Sequence, residues 1–273
     1  MRKGCPWRRG AAAAACLLLL AAALWALAAR SPLWPQSGDR TRSDGDLVVD
    51  ESHSADGYLI IHGPKSSRRL KLRIALGEEM YTYDLNGSGE SEVFPLQMGD
   101  GQYTCTLYAN TEGSKYAQSG RVTVSVSLSD EAAPFLAPNQ EVWYTQDSAA
   151  VQKSYELCEG LSSDAEKFDA IRQFIEKKFV YDFVATITTQ KGALPDVDKC
   201  YETRKGICQD LAAVTACMLR VQGIPAKMAV GHADSMYHAW VSVWLDGQWQ
   251  RYDPTAGVHG VAEAKNYTEE KCY

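Results

Sequence analysis

A cysteine, a histidine and an aspartate follow one another along the chain in the order that nucleophilic catalysis uses. The stretch begins GICQDLAAVTACMLRVQGIPAK, passes through YHAWVSVWLDGQWQ and ends RYDPT, and it contains Cys208, His238 and Asp253. A thiolate attacks a carboxamide or peptide carbonyl, an imidazole passes the proton to the departing ammonia or amine, and a carboxylate holds that imidazole in its working tautomer. The product is a thioester, which water resolves by hydrolysis and a second amine by cross-linking. Each tetrahedral intermediate needs hydrogen-bond donors aimed at its oxyanion. The backbone N–H of Cys208 is one candidate donor, and Gln209, Tyr181 and Tyr201 are candidates for the second.

These side chains need elements that bring them together. After Cys208, the residues Leu211, Val214, Thr215, Met218, Leu219 and Val221 recur at helical spacing, and Gly223, Ile224 and Pro225 supply a stop. Cys208 therefore sits in or beside a first turn, where unpaired N–H groups and the helix dipole favour an anion such as a thiolate. The competing reading for Cys208 is a buried structural cysteine, the role assigned to Cys217 on the apolar side of the same helix. Asp246 and Gly247 lie between two runs rich in aromatic and β-branched residues, a strong hairpin signal. With those two as the loop, Leu245 faces Gln248, Trp240 faces Asp253 and His238 faces Thr255. His238 and Asp253 are then diagonal neighbours on one side of the sheet, about 7 to 8 Å apart at the backbone, within reach of an imidazole–carboxylate bond. Trp240 and Trp244 share that side, with Trp240 expected to wall the site and Trp244 to pack.

GICQD ahead of an apolar helix, then YHAW, then YDPT, together resemble the transglutaminase-like superfamily, of the bacterial exported kind, whose papain-related core carries Cys, His and Asp in that chain order. The likeness runs over residues 149–273. It implies an α+β fold, with Cys208 as nucleophile, His238 as general base and acid, and Asp253 as orienter, and it requires no cofactor. Several animal members use a tryptophan upstream of the cysteine as an oxyanion donor, and no tryptophan stands between Tyr144 and Cys208 here. Residues 148–161 and 164–179 have the periodicity of helices that pack around the catalytic one. The second is expected to be capped by Asp164 and carries Lys177 and Lys178 in its last turn. Residues 181–194 are Thr-rich and open between structures; in this superfamily such a segment often borders the substrate groove. Residues 196–203 read as a short helix leading to Arg204 and Lys205, two charges that either sharpen the field at Cys208 or are solvated.

Of 273 residues, 45% are hydrophobic and 23% charged, ordinary for a globular chain. The net charge of −6 is unevenly spread: residues 1–42 carry seven Lys or Arg against one Asp, leaving 21 basic and 33 acidic residues beyond. That acidic remainder argues against a nucleic-acid partner. Four basic residues precede an uncharged Ala/Leu run over residues 11–29, so residues 1–30 are expected to be a signal peptide or an N-terminal membrane anchor. The chain beyond Arg30 would then lie outside the cell or in its envelope. Residues 31–56 are polar and read as a flexible linker.

Residues 57–133 are expected to form a small antiparallel β-sandwich from six short alternating strands. Within it, DGQYTC resembles an immunoglobulin tyrosine corner, with Tyr103 two residues before Cys105. The catalytic domain is assigned to 139–273, with PFLAPNQ punctuating the boundary. Outside a cell, Cys158 could pair with Cys200 or Cys272. No CxxC or HExxH occurs, so no metal is expected, and His232 and His259 read as exposed loop residues. Three functions stay open: an exported cysteine acyltransferase acting on a protein or peptide at the cell surface, a thiol protease or cell-wall peptide amidase, and a non-catalytic surface module.

Overall fold

The computed structural model describes residue 30 and residues 32–260 and 262–273, and Pro32–Tyr273 form one compact unit. The proposed export segment, residues 1–30, lies outside the described residues except for Arg30. Among the described residues no helix is long and apolar enough to cross a membrane.

Two large hydrophobic cores and a small cluster of Tyr58, Ile60, Val93 and Ala137 organise the described residues, in keeping with the α+β class expected. The first lies between two four-stranded antiparallel sheets. One sheet holds β1 (Thr41–Asp44), β2 (Leu47–Asp50), β3 (Tyr58–His62) and β6 (Ser91–Pro95) in the order β1-β2-β3-β6. The other holds β4 (Leu70–Leu76), β5 (Glu79–Leu85), β7 (Gly101–Glu112) and β8 (Lys115–Val126) in the order β5-β4-β7-β8. Period-two alternation sends Leu70, Leu72 and Ile74 of β4, and Tyr103, Cys105 and Leu107 of β7, into the shared interior. The Tyr103 hydroxyl reaches the carbonyls of Gly99 and Leu96 at 2.9 and 3.0 Å, the hydrogen bonding of a tyrosine corner.

Residues 31–56 are not a free tether. Leu47 and Val49 in β2 are fully buried, and β2 pairs with both β1 and β3. The polar residues that suggested solvation satisfy one another locally: Asp50 accepts from the Gly38 and Ser52 amides at 2.7 and 2.9 Å, and Glu51 meets Arg42 at 2.9 Å. Two buried aliphatic side chains suffice for a four-residue strand with a partner on each side, although they hardly change the composition of the window. The PFLAPNQ stretch is likewise buried, not a surface break, and Gln140 ties it to β5 and β6 through the Asp84 carbonyl and the Glu92 carboxylate, both at 2.8 Å.

The second core surrounds one helix. Helices α1 (Ala149–Cys158), α2 (Asp164–Lys178), α3 (Phe183–Thr188) and α4 (Val197–Thr203) lead to α5 (Cys208–Arg220), followed by β11 (Ala226–Ala233), β12 (Met236–Leu245), β13 (Gln248–Tyr252), α6 (Pro254–His259) and β14 (Tyr267–Cys272). A short parallel pair, β9 (Val180–Tyr181) with β10 (Lys205–Gly206), joins α2 to α5. The cap of α2 is Ser163, not Asp164: its hydroxyl accepts from the Glu166 amide while the Glu166 carboxylate accepts from the Ser163 amide, a capping box. From Leu211 to Arg220 every residue of α5 is buried, against β11 and β12 on one side and α1, α2 and α4 on the other.

Strand order in the last sheet is β13-β12-β11-β14. Asp246 and Gly247 form the two-residue turn between β12 and β13 with φ of 53° and 78°, so Leu245 pairs with Gln248 and Val241 with Tyr252. The C-terminal strand β14 pairs with β11 and continues toward the sandwich. There the Cys272 amide donates to the Tyr81 hydroxyl at 3.3 Å, and the Tyr273 ring lies 5.6 Å edge-on from that of Tyr81. Arg220, fully buried, fastens this junction by donating to the carbonyls of Ala137, Ala226 and Tyr273 at 2.7 to 3.0 Å.

Candidate active site

Cys208 is the first residue of α5, and the residues before it are fixed by space. Gly206 approaches so closely that an added Cβ would stand 2.7 Å from Asp210 Cβ and 2.8 Å from Cys200 Sγ. Asp210, in the first turn, accepts from the Ile207 amide at 3.0 Å, which sets the entry of the chain into the helix. Six cysteines are free among the described residues, and Cys208 is the one of them that is partly exposed. Cys158, Cys200 and Cys272 are thus thiols, and the disulfides considered from sequence do not occur.

His238 projects from β12 and meets Asp253, with Nε2 and Oδ2 2.9 Å apart. Register explains the meeting only in part. β13 ends at Tyr252, so Asp253 is not on that strand and Thr255 is not opposite His238; Asp253 is the N-cap of α6. Its Oδ1 accepts from the Thr255 and Ala256 amides at 2.9 and 3.3 Å, which leaves Oδ2 turned toward the imidazole. The same Oδ2 accepts from the Tyr267 hydroxyl at 2.7 Å.

The electrostatics follow from this packing. Burial disfavours the charged imidazole of His238, but hydrogen bonds to Asp253 and Cys208, with the charges of both, outweigh it and push the pKa up to about 9. Burial would raise the Asp253 carboxyl, yet His238, Tyr267 and the Ala256 amide hold it below its ordinary value. The imidazole therefore carries a proton at neutral pH between an ionised carboxylate and the cysteine. With Nε2–H given to Asp253, the remaining ring nitrogen is the one available to the sulfur.

Aromatic and apolar side chains flank the thiol. Tyr181 and Tyr237 have phenols raised chiefly by burial, with the charge of Cys208 a smaller contribution to each. Beyond them, Phe183, Val184 and Ile187 of α3 are 65%, 71% and 87% exposed, and Met236 is 69% exposed. Asp182 caps α3, so the first part of the Thr-rich segment that the sequence left open is helical, over Phe183–Thr188, and turn and irregular backbone follow to residue 194. Of the candidate oxyanion donors, Gln209 gives its amide to the Ala193 carbonyl at 2.9 Å, and the Tyr201 ring lies 3.6 Å beneath the Arg204 guanidinium. Arg204 also stacks on Phe174 and Phe179, so it packs instead of directing its charge at Cys208. Tyr181 stays beside the sulfur.

Trp240 is buried edge-on against Tyr267 at 5.0 Å, and Trp244 packs against Trp249. His232 pairs with Glu270 at 3.1 Å on β11, and His259, exposed in the last turn of α6, stacks near Tyr181 and Phe183. Neither is a loop residue. Tyr267 went unrecognised in the sequence, because it lies fourteen positions beyond Asp253 with no motif around it.

The half of the chain built around α5 thus has the architecture of the cysteine-dependent, papain-related class. Residues 151–254 match the Transglutaminase-like superfamily. An uncharacterised protein of Mycobacterium leprae is 31% identical over 83 residues, 24% of this chain and 29% of that protein. A protein-glutamine gamma-glutamyltransferase of Pseudomonas aeruginosa is 29% identical over 103 residues, 32% of this chain and 15% of that protein. The chain spans less than a third of the length of either relative. Among solved structures, the periplasmic domain of TgpA from Pseudomonas aeruginosa superposes with a TM-score of 0.38 at 17% identity over 85% of this chain and 77% of that one. A candidate cysteine protease from Cytophaga hutchinsonii gives 0.40 at 18% identity over 76% of this chain and 74% of that one.

Proposed function

We propose that the protein is an exported cysteine acyltransferase of the transglutaminase-like kind, acting on glutamine carboxamides or peptide carbonyls of proteins at the cell surface. The observation that carries this reading is the 2.9 Å contact between His238 and Asp253, with Cys208, at the start of a buried helix, close enough to help raise the pKa of the imidazole. In the proposed sequence the Cys208 sulfur adds to the carbonyl carbon, and the oxyanion takes the Cys208 backbone N–H together with a second donor, for which Tyr181, whose phenol feels the charge of Cys208, is the candidate. The imidazolium of His238 then protonates the departing nitrogen, and a thioester remains. The neutral imidazole next activates the acceptor, an amine or water, and recovers its proton as the acceptor adds. Asp253 keeps the ring oriented throughout.

The apolar rims formed by Phe183, Val184 and Ile187 on one side, and by Met236 and Tyr237 on the other, suit a polypeptide laid across the sulfur. Export, with the N-terminal segment cleaved or retained as an anchor, rests on the basic and apolar pattern of residues 1–30. No nucleic acid is expected as a partner. The sandwich, with β1 and β2 added to the 57–133 segment, would then serve as a spacer or binding domain ahead of the catalytic one at 139–273. The test uses a fluorescent primary amine and a glutamine-rich protein. Amine incorporation that Cys208→Ala abolishes supports acyl transfer, cleavage of the protein without incorporation assigns the site to hydrolysis, and absence of both overturns the enzymatic reading.

A further inference from the structure

The carboxylate of Asp253 is held by more than its helix. Tyr267, the first residue of β14, lies outside the superfamily match at residues 151–254. Its hydroxyl oxygen is 3.2 Å from the Ala264 amide and 2.7 Å from Asp253 Oδ2. The direction of both bonds is fixed by chemistry. A backbone N–H can only donate and an ionised carboxylate can only accept, so the hydroxyl accepts from Ala264 and must aim its own proton at Asp253.

The ring that carries this hydroxyl is clamped on two sides. Trp240 meets it edge-on at 5.0 Å, and the Arg251 guanidinium lies 4.1 Å over its centre. Arg251 is itself held by Glu263 at 3.2 Å, and the other oxygen of Glu263 accepts the Asp253 amide at 3.0 Å. The contacts close a circuit: Asp253 backbone to Glu263, to Arg251, to the Tyr267 ring, and through the hydroxyl back to the Asp253 side chain. All four acceptor positions of the carboxylate are thereby filled, two by backbone amides, one by His238 and one by Tyr267.

Taking the catalytic reading above as its basis, we propose that Tyr267 is a positioning residue of the site, a fourth member that fixes the Asp253 carboxylate and so sets the orientation and charge balance of His238. It touches neither substrate nor sulfur. Its hydroxyl takes up part of the charge of the carboxylate and prevents Oδ2 from turning away from the imidazole. A tyrosine that merely fills space at the start of β14 would have the ring contacts but no need of the oxygen.

The test is Tyr267→Phe in the full chain, which keeps the ring between Trp240 and Arg251 and removes one atom. The ring is only half-buried, so the variant is expected to fold, and thermal unfolding checks this. The His238 titration, followed by NMR, is expected to move upward, because the carboxylate has lost a donor that shared its charge. Turnover is expected to fall by about ten- to a hundredfold with KM within twofold, the pattern of a lost transition-state interaction. A folded variant with the parent titration and a kcat within threefold overturns the proposal. The titration reads the same whether or not the parent turns over a substrate. A parent without activity therefore refutes the catalytic reading, whereas an unmoved titration refutes the role of Tyr267.

Discussion

Asp253 holds His238 from the cap of a helix: Oδ1 receives two amides of the first turn of α6, and Oδ2 stands 2.9 Å from Nε2 of the imidazole. A carboxylate tied down in this way cannot rotate without uncapping α6. The histidine inherits that rigidity, and its charge and aim become properties of the fold.

The first consequence concerns protonation. Because the folded-state pKa of His238 is raised from 6.5 to about 9, the protonated ring contributes stability that is fully present below about pH 6.5 and is lost as pH rises through about 9. His238 should therefore titrate near 9 by NMR, and stability should decline over that window. In Asp253→Asn the carboxylate charge that helps lift the ring is lost while burial still opposes the imidazolium, and the titration should move down. A His238 that titrates at its ordinary value in the parent contradicts the arrangement.

Removal of the base and removal of the orienter should differ. His238→Ala deletes the proton carrier, while Asp253→Ala leaves an imidazole that still visits the right tautomer. By analogy with triads in general, Asp253→Ala should retain on the order of a hundredfold more turnover than His238→Ala. Single-turnover acylation rates measure the ratio. Parity between Asp253→Ala and the parent would place the orienting group elsewhere.

The thiol itself can be tested without a substrate. Cys208 is half-exposed at a helix start beside an imidazolium, and the other described cysteines are buried. Iodoacetamide at neutral pH should modify Cys208 first, and faster than a thiol of the urea-unfolded chain. Peptide mapping by mass spectrometry identifies the site. Labelling no faster than in the unfolded chain would refute activation of this sulfur.

Much of this arrangement was legible in the primary structure. Asp246 and Gly247 fixed the hairpin register, since both need φ above zero, and the helix after Cys208 announced itself through Leu211, Val214 and Met218. The position of Asp253 was reached by extending strand pairing one residue too far. The diagonal neighbour relation survived because a cap at a strand end points its side chain back along the same face. What stayed hidden depends on distant segments. Leu47 and Val49 looked isolated in a polar stretch until paired strands covered them, and Tyr267 is tied to Asp253 through a strand added at the far edge of the sheet. No local pattern encodes such a contact.

Arg220 provides a prediction about stability. Its guanidinium is fully buried, brought down to about 10 chiefly by that burial, and satisfied by carbonyls of Ala137, Ala226 and Tyr273. Arg220→Met leaves the buried carbonyls of Ala137 and Ala226 without these donors and should cost roughly 3–5 kcal/mol in urea unfolding. Arg220→Lys should recover little of this, since one ammonium cannot reproduce the planar fork. A loss below about 1 kcal/mol for the methionine variant would mean that other donors or water reach those carbonyls.

The last strand gives the molecule an uncommon economy. Within seven residues the chain passes from the phenol bonded to the Asp253 carboxylate to a tyrosine wedged among the rings of the sandwich. Mechanically it is a short cable between the two hydrophobic cores of one compact unit. Loosening the sandwich, by heat, by a proteolytic nick or by a partner that pries its strands apart, would slacken the aspartate at the other end, so the two halves should lose their competence together.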